Sequence, residues 1–284
     1  MNLLDGKKLS QEIQQQLIPR INHLIEQKCR PGLGVILVGE NEASLSYVLM
    51  KQKACSELGI KTKIHHFPNN SSQNQLIQII QSMNQDPTIH GILVQLPLPE
   101  HIHTDTILNS VAYEKDVDGF HITNSGKLFQ KKDYLFSPCT PKGCIELIDH
   151  YNIEVKGMNI TIIGCSNIVG LPLSMLLLHK GATVTLCHID TIETKNHCIR
   201  SDMVISCCGV PGLVKQDWIK EGSIVIDIGI TKVNGKLVGD VDFDNVKGKT
   251  RYITPVPGGI GPMTIAMLMK QTVEACEYSL AGRI

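Results

Sequence analysis

Short apolar runs rich in Val and Ile alternate with helix-period stretches along nearly the whole 284-residue chain, in two separate series. A strand apolar at every position is buried on both faces, and a helix between two such strands returns the chain to start the next one in parallel. The first series predicts a helix over 6–28, strands near 34–38, 61–66 and 89–93, and helices near 44–58 and 72–83. A polar, loop-like stretch over about 111–137 follows it. The second series predicts strands near 159–163, 183–186, 203–206 and 224–228, a helix near 170–179 and a last helix over about 262–278. The expected fold is α/β in two domains. An N-terminal α/β domain spans 1–140 and is rejoined by the terminal helix, 262–284; a Rossmann-like, doubly wound parallel sheet spans 141–261.

Charge narrows what such a chain binds. Lys+Arg and Asp+Glu each number 27, so no global field recruits nucleic acid or an anionic membrane. Residues 1–8 lack the apolar core of a signal peptide, and no apolar run approaches the ~20 residues of a membrane span. The expectation is a cytoplasmic protein with no nucleic-acid or membrane partner. The ten cysteines include no C-x-x-C pair, and Cys207 and Cys208 are adjacent, which suits a reduced compartment and small core residues. No metal is expected.

In the second series the strand at 160–163 runs into Gly164-Cys165-Ser166-Asn167-Ile168-Val169-Gly170 and then a helix. That strand-turn-helix order presents free N–H groups to phosphates. Ser166 stands where the second glycine of G-x-G belongs, so an ordinary βα turn remains open beside a dinucleotide turn. Gly209 and Ile230 follow the third and fourth strands, at the sheet end where open α/β folds hold ligands. Ile189 and Asp190 lie just past the second strand, where a carboxylate meets the ribose hydroxyls of NAD and repels a 2′-phosphate. A helix cap before 191–197 is the other reading of Asp190.

The first series carries a mixed helix face. Ser44, Tyr47 and Lys51 recur at i, i+3 and i+7 and stack a hydroxyl, a phenol and an ammonium. By spacing alone Lys51 also reads as a solvated charge. Gln95 ends the third strand within Val94-Gln95-Leu96-Pro97-Leu98-Pro99, where prolines stop the sheet. Lys115-Asp116-Val117-Asp118-Gly119-Phe120 sets two carboxylates two apart, as a solvated turn or an acceptor for a donor-rich heterocycle. Near the end, Thr254-Pro255-Val256-Pro257-Gly258-Gly259-Ile260-Gly261-Pro262-Met263-Thr264 combines straight backbone with close approach. Pro262 suits the first helical position. The run reads either as a strand-to-helix turn or as a ligand floor made of backbone.

These segments together resemble the bifunctional methylenetetrahydrofolate dehydrogenase/methenyltetrahydrofolate cyclohydrolase family. The resemblance covers essentially the whole chain, from Asp5-Gly6-Lys7 through Ser137-Pro138-Cys139-Thr140-Pro141 to the terminal P-G-G-I-G-P-M-T. It implies oxidation of 5,10-methylenetetrahydrofolate to the methenyl form with hydride transfer to a nicotinamide dinucleotide, then hydrolysis to 10-formyltetrahydrofolate. It implies a folate-binding first domain, a dinucleotide-binding second and one cleft between them. Lys51 matches the essential cyclohydrolase lysine, Gln95 its amide partner, Asp118 the carboxylate that grips the pterin and Tyr47 the tyrosine lining the folate. Ser44, Gly258, Gly259, Gly261, Pro262 and Thr264 join the substrate set. Gly164, Cys165, Ser166, Ile168, Val169, Ile189, Asp190, Gly209 and Ile230 form the cofactor set.

The chain departs from the family at the cofactor. Most members that use NADP carry Arg after the first turn glycine and Ser followed by a basic residue after the Cys-His pair. Here those positions are Cys165, Ile189 and Asp190. The resemblance implies NADP, whereas these residues favour NAD; Lys195, His188 or Arg200 reaching a 2′-phosphate is the rival. A hairpin arm over 231–238, turning at Asn234-Gly235, suits the family's usual homodimer. A monofunctional cyclohydrolase, a different Rossmann oxidoreductase and a non-catalytic nucleotide sensor are the alternatives.

Overall fold

The computed structural model describes residues 2–282. In chain order its elements are β1 (Asn2–Leu3), α1 (Gly6–Glu26), β2 (Gly32–Val38), α2 (Glu42–Leu58), β3 (Lys61–Phe67), α3 (Gln73–Gln85) and β4 (Gly91–Val94). Then follow α4 (Thr104–Leu108), α5 (Ile122–Phe129), α6 (Cys139–His150), β5 (Asn159–Ile163), α7 (Gly170–His179), β6 (Thr183–Cys187), α8 (Thr194–Ile199) and β7 (Met203–Ser206). The last are β8 (Ile224–Asp227), β9 (Thr231–Val233), β10 (Lys236–Val238), α9 (Phe243–Val246), β11 (Tyr252–Ile253) and α10 (Ile260–Leu280). The chain divides into two compact units. One joins the segment up to Gln11 to Thr140–Thr264; the other joins Glu12–Cys139 to the segment from Ile265.

The unit built on Glu12–Cys139 has a three-stranded parallel sheet in the order β3-β2-β4. β2 is central and buried at all seven positions, which is why its sequence does not alternate. β3 forms an edge and is more exposed. Ser72 and Gln75 close a capping box that starts α3, and Leu76, Ile80 and Met83 of that helix pack on Ile36, Ile92 and Val94. The polar stretch expected to be loop holds α5, begun by His121, whose Nδ1 accepts the Thr123 N–H at 3.0 Å. A short helix with few apolar positions leaves little periodicity to read.

The unit built on Thr140–Thr264 has a six-stranded sheet ordered β1-β11-β8-β7-β5-β6, with every pairing parallel. From β5 the chain moves first to β6 on one side and then to β7 on the other, so the strand order reverses at the end of β5. That reversal is where doubly wound sheets hold ligands. Residues up to Gln11 fall here rather than in the first domain as expected, because Asn2 and Leu3 pair with Tyr252 and Ile253. Two-residue strands are invisible to periodicity. The hairpin β9–β10 forms its own antiparallel pair, with Asn234 at φ +50° and Gly235 at φ +77° as the turn demands. Among the described residues no helix is long and apolar enough to cross a membrane.

Candidate active site

Helix α2 begins where the Asn41 side chain accepts the Ser44 N–H at 3.1 Å, and ends at Gly59 in the left-handed region, φ +79°. Its buried positions include Ser44, Val48, Lys51, Cys55 and Leu58, the four-three-four-three rhythm of a core-facing stripe. Lys51 therefore occupies a core position, only 7 % exposed. Lys53, two residues on, lies in solvent 3.8 Å from Glu57. The solvated reading holds for Lys53 and fails for Lys51. The Lys51 Nζ donates to Gln95 Oε1 at 2.9 Å, while Gln95 Nε2 donates to the Leu96 carbonyl at 2.8 Å and fixes which way the amide faces. Burial pushes the Lys51 ammonium below the ordinary lysine pKa; the charge of Asp118 resists that shift. Tyr47 is half-buried on the same helix, and burial raises its phenol pKa.

The Lys115–Gly119 segment is laid against β4. Ile92 N–H donates to the Lys115 carbonyl at 2.7 Å, and a Cβ on Gly91 would stand 2.7 Å from a Val117 methyl. Its two carboxylates do different work. Asp116 is buried and accepts from Asn124 Nδ2 at 2.9 Å, Phe120 N at 3.1 Å and His121 N at 2.8 Å. Burial pushes its carboxyl up to about 7. Asp118 keeps some accessible surface; burial raises its pKa, opposed by the Lys51 charge and hydrogen bonds from Cys139. Gly119 turns the chain at φ +73°, where a Cβ would lie 2.3 Å from the Ser137 carbonyl carbon.

Sequence reasoning missed the residue that ties this loop down. Gln271 of α10 is fully buried, donates from Nε2 to the carbonyls of Val117 at 2.7 Å and Ser137 at 3.0 Å, and accepts the Ser137 N–H at 3.3 Å. One amide thus fastens the residue before Asp118 and the one two before Cys139. The sequence offers a single signal, a glutamine between the apolar turns 266–269 and Val273. Nothing in its spacing tells which carbonyls it meets.

In the other unit the turn after β5 is shaped by two glycines. Gly164 sits at φ +109°, and a Cβ there would lie 2.7 Å from the Cys207 carbonyl oxygen; a Cβ on Gly170 would lie 1.9 Å from the Gly164 oxygen. These are the tight-turn and helix-packing roles of a dinucleotide fingerprint. Ser166, at the middle position, instead accepts the Val169 N–H on its hydroxyl at 3.2 Å. Cys165, Ser166 and Ile168 face solvent, Val169 is half-buried and α7 begins at Gly170. This turn fits a bound pyrophosphate, because Gly164 and Gly170 let it bend tightly and residues 165–168 are open to solvent. Past β6, Ile189 is 99 % exposed and the Asp190 carboxylate is 3.5 Å from His188 Nδ1. Asp190 does not cap a helix, since α8 starts at Thr194 after Glu193. Lys195 pairs with Asp217.

Two buried carboxylates hold the neighbouring loops. Asp240 Oδ2 accepts from Ser206 Oγ at 3.0 Å, Cys208 N at 2.9 Å and Gly209 N at 3.2 Å; its Oδ1 is buried without a partner among the described residues. Asp227 accepts from the N–H groups of Gly229, Asp240 and Val241, and burial pushes it up to about 7. Gly209 and Ile230 thus stand on loops anchored by side chains, of which Asp240 escaped the sequence reading.

The terminal Pro/Gly run lies in this second unit up to Thr264. Thr254 is buried and its Oγ1 accepts the Asp227 N–H at 2.7 Å. Gly258 takes φ +112° and accepts the Lys7 N–H on its carbonyl at 2.8 Å, while a Cβ on Gly6 would lie 2.0 Å from the Gly259 oxygen. The positive φ accounts for Gly258, the Pro255 carbonyl oxygen 2.6 Å from a Cβ on Gly259 accounts for that glycine, and the Gly259 oxygen accounts for Gly6. Gly261 meets Ile230. Pro262 is the third residue of α10 rather than the first, a position whose N–H also lacks a helical partner. Thr264 Oγ1 lies 2.9 Å from Thr140 Oγ1.

Comparison with known proteins finds two family domains along the chain. Residues 4–118 match the family model described as tetrahydrofolate dehydrogenase/cyclohydrolase, catalytic domain, and residues 138–280 match its NAD(P)-binding domain. A bifunctional FolD protein of a Nitratiruptor species is 52 % identical over 278 residues, 98 % of each chain. The crystal structure of the Campylobacter jejuni FolD dehydrogenase/cyclohydrolase superposes with a TM-score of 0.97 at 48 % identity, covering 98 % of this chain and 99 % of that one. A Trypanosoma brucei relative, complexed with NADP cofactor and inhibitor, gives a TM-score of 0.94 at 37 % identity over 97 % of each chain.

Proposed function

The chain belongs to the tetrahydrofolate dehydrogenase/cyclohydrolase family, and from that premise we propose which of its residues do the work. It is a bifunctional enzyme that oxidises 5,10-methylenetetrahydrofolate to 5,10-methenyltetrahydrofolate and hydrolyses that product to 10-formyltetrahydrofolate. The nicotinamide dinucleotide, when bound, takes the hydride from the methylene carbon. The monofunctional reading gives way to the bifunctional one, as do the other oxidoreductase and the sensor.

The observation that carries the residue assignment is a lysine at a core position with its Nζ on Gln95 Oε1 at 2.9 Å. Burial favours the neutral amine. Neutral Lys51 takes a proton from water as the water oxygen bonds to the cationic methenyl carbon. The resulting ammonium returns that proton to the departing ring nitrogen as the C–N bond breaks, and the remaining hydroxyl proton leaves to solvent as the formyl C=O forms. Gln95 holds the amine in place. Asp118 accepts hydrogen bonds from the pterin amino group and ring N–H. Tyr47 and Ser44 line the same face. An assay with methylenetetrahydrofolate reads both steps, since methenyl absorbance and reduced nicotinamide are separate signals. Wild-type cyclohydrolase activity in Lys51→Met overturns the lysine assignment.

NAD is the preferred dinucleotide. Cys165 and Ile189 offer no cation, Asp190 places a carboxylate past β6, and the rival Lys195 is held by Asp217. A missing Arg–phosphate pair costs about 1.5–3 kcal/mol. The NADP complex of the Trypanosoma brucei relative supports the rival cofactor. Steady-state kcat/KM with each dinucleotide decides, and a tenfold advantage for NADP refutes the preference. The hairpin β9–β10, with Val233 and Leu237 exposed, is proposed to join two copies; an unchanged sedimentation coefficient in Leu237→Lys removes it from the interface.

A further inference from the structure

Outside the site described, Cys29, His90 and Cys276 bring their ligand-type atoms within 4.8 Å of one another. The set has the composition of a metal centre, yet its hydrogen bonding argues otherwise. His90 Nδ1 accepts the Gly32 N–H at 3.1 Å, so its lone pair is engaged and the ring proton resides on Nε2. That Nε2 lies 3.5 Å from Cys29 Sγ. A metal at Nε2 requires a lone pair where the ring carries hydrogen. A sulfur facing a ring N–H, by contrast, is held in one orientation by a hydrogen-bond donor.

The second thiol completes the arrangement. Cys276 Sγ lies 3.3 Å from Cys29 Sγ, with Cys276 fully buried in α10 and Cys29 half-buried after α1. We propose that Cys29 and Cys276 form a dithiol that reacts with peroxides, Cys29 being the sulfur attacked first and His90 the ring that orients it. The Cys29 thiolate attacks one peroxide oxygen; the O–O bond breaks, leaving a sulfenic acid on Cys29 and releasing hydroxide that takes up the thiol proton as water. The Cys276 sulfur then attacks the Cys29 sulfur, the S–S bond forms, the S–O bond breaks and a second water leaves with the Cys276 proton. Two thiols are oxidised and one peroxide is reduced to two waters.

The test treats the fully reduced enzyme with one equivalent of hydrogen peroxide, alkylates the remaining thiols and maps disulfides by peptide mass spectrometry. A Cys29–Cys276 linked peptide is expected as the first product, ahead of modification at exposed Cys165. Cys276→Ser is expected to leave Cys29 as a sulfenic acid captured by dimedone. His90→Gln is expected to slow reaction at Cys29 about tenfold while leaving Cys165 at its wild-type rate, which separates a local role from misfolding. Oxidation of Cys165 or of Cys207 and Cys208 while Cys29 and Cys276 stay reduced overturns the proposal. So does one equivalent of zinc held by the reduced enzyme and lost in Cys29→Ser.

Discussion

The two units solve their tasks with different materials. In the unit built on Glu12–Cys139 the proposed chemistry sits in side-chain ends, the Lys51 amine, the Gln95 amide and the Asp118 carboxylate. In the unit built on Thr140–Thr264 it sits in backbone, at a turn where Gly164 and Gly170 leave no room for a Cβ. A side-chain site fails when a functional group is removed. A backbone site fails when an atom is added. Substitutions of opposite kind therefore separate the two activities.

Removal at Lys51 has the largest expected effect. Lys51→Met takes out the group proposed to carry the proton from water to the ring nitrogen, and general acid–base catalysis contributes about 10²–10⁴-fold, so cyclohydrolase turnover is expected to fall by that amount. Hydride transfer needs alignment more than a proton carrier and is expected to fall far less. The pH profile sharpens this. Burial lowers the Lys51 pKa, and the neutral amine is the active form, so wild-type cyclohydrolase kcat is expected to rise with pH and level off below the ordinary lysine range. A rate that falls through that limb breaks the assignment.

Addition at Gly170 comes next. A methyl there meets the Gly164 oxygen at 1.9 Å, and overpacking of this kind costs about 1–3 kcal/mol. Gly170→Ala is expected to weaken dinucleotide binding about tenfold to a hundredfold, measured by calorimetry, with cyclohydrolase turnover of supplied methenyltetrahydrofolate close to wild type. Undiminished binding means the turn is not a backbone site. A smaller change marks the place where the backbone unit does rely on a side chain: Asp190→Arg is expected to improve NADP against NAD by about tenfold in kcat/KM.

The same contrast explains what could be read in advance. Strand and helix periods, the Gly164 and Gly170 positions and the Asn234-Gly235 turn are local, and the structure has them where the sequence predicts. The Ser44, Tyr47, Lys51 face was legible as a spacing, but not as a buried one. Asp116 and Asp118 are alike in sequence; only the donors of Asn124, Phe120 and His121 make one of them structural. Asp240, Gln271 and the pairing of β1 with β11 depend on partners far along the chain. Periodicity carries no record of such partners.

Gln271 supplies the smallest and most discriminating test, because it lies between the two modes: a side chain whose partners are backbone. Gln271→Met keeps the volume but takes the amide donor from the Ser137 carbonyl and leaves the Val117 carbonyl only the Cys139 thiol at 3.3 Å, and an unpaired buried polar group costs about 1–3 kcal/mol. Part of that cost lowers the unfolding midpoint. The rest is expected to loosen the segment carrying Asp118 and raise KM for methenyltetrahydrofolate about three- to tenfold with kcat nearly unchanged, since Lys51 and Gln95 keep their contact. A lower midpoint with an unaltered KM confines Gln271 to the core. A raised KM shows that the side-chain site, too, depends on fixed backbone, with one amide doing for Asp118 what the glycines do for the turn after β5.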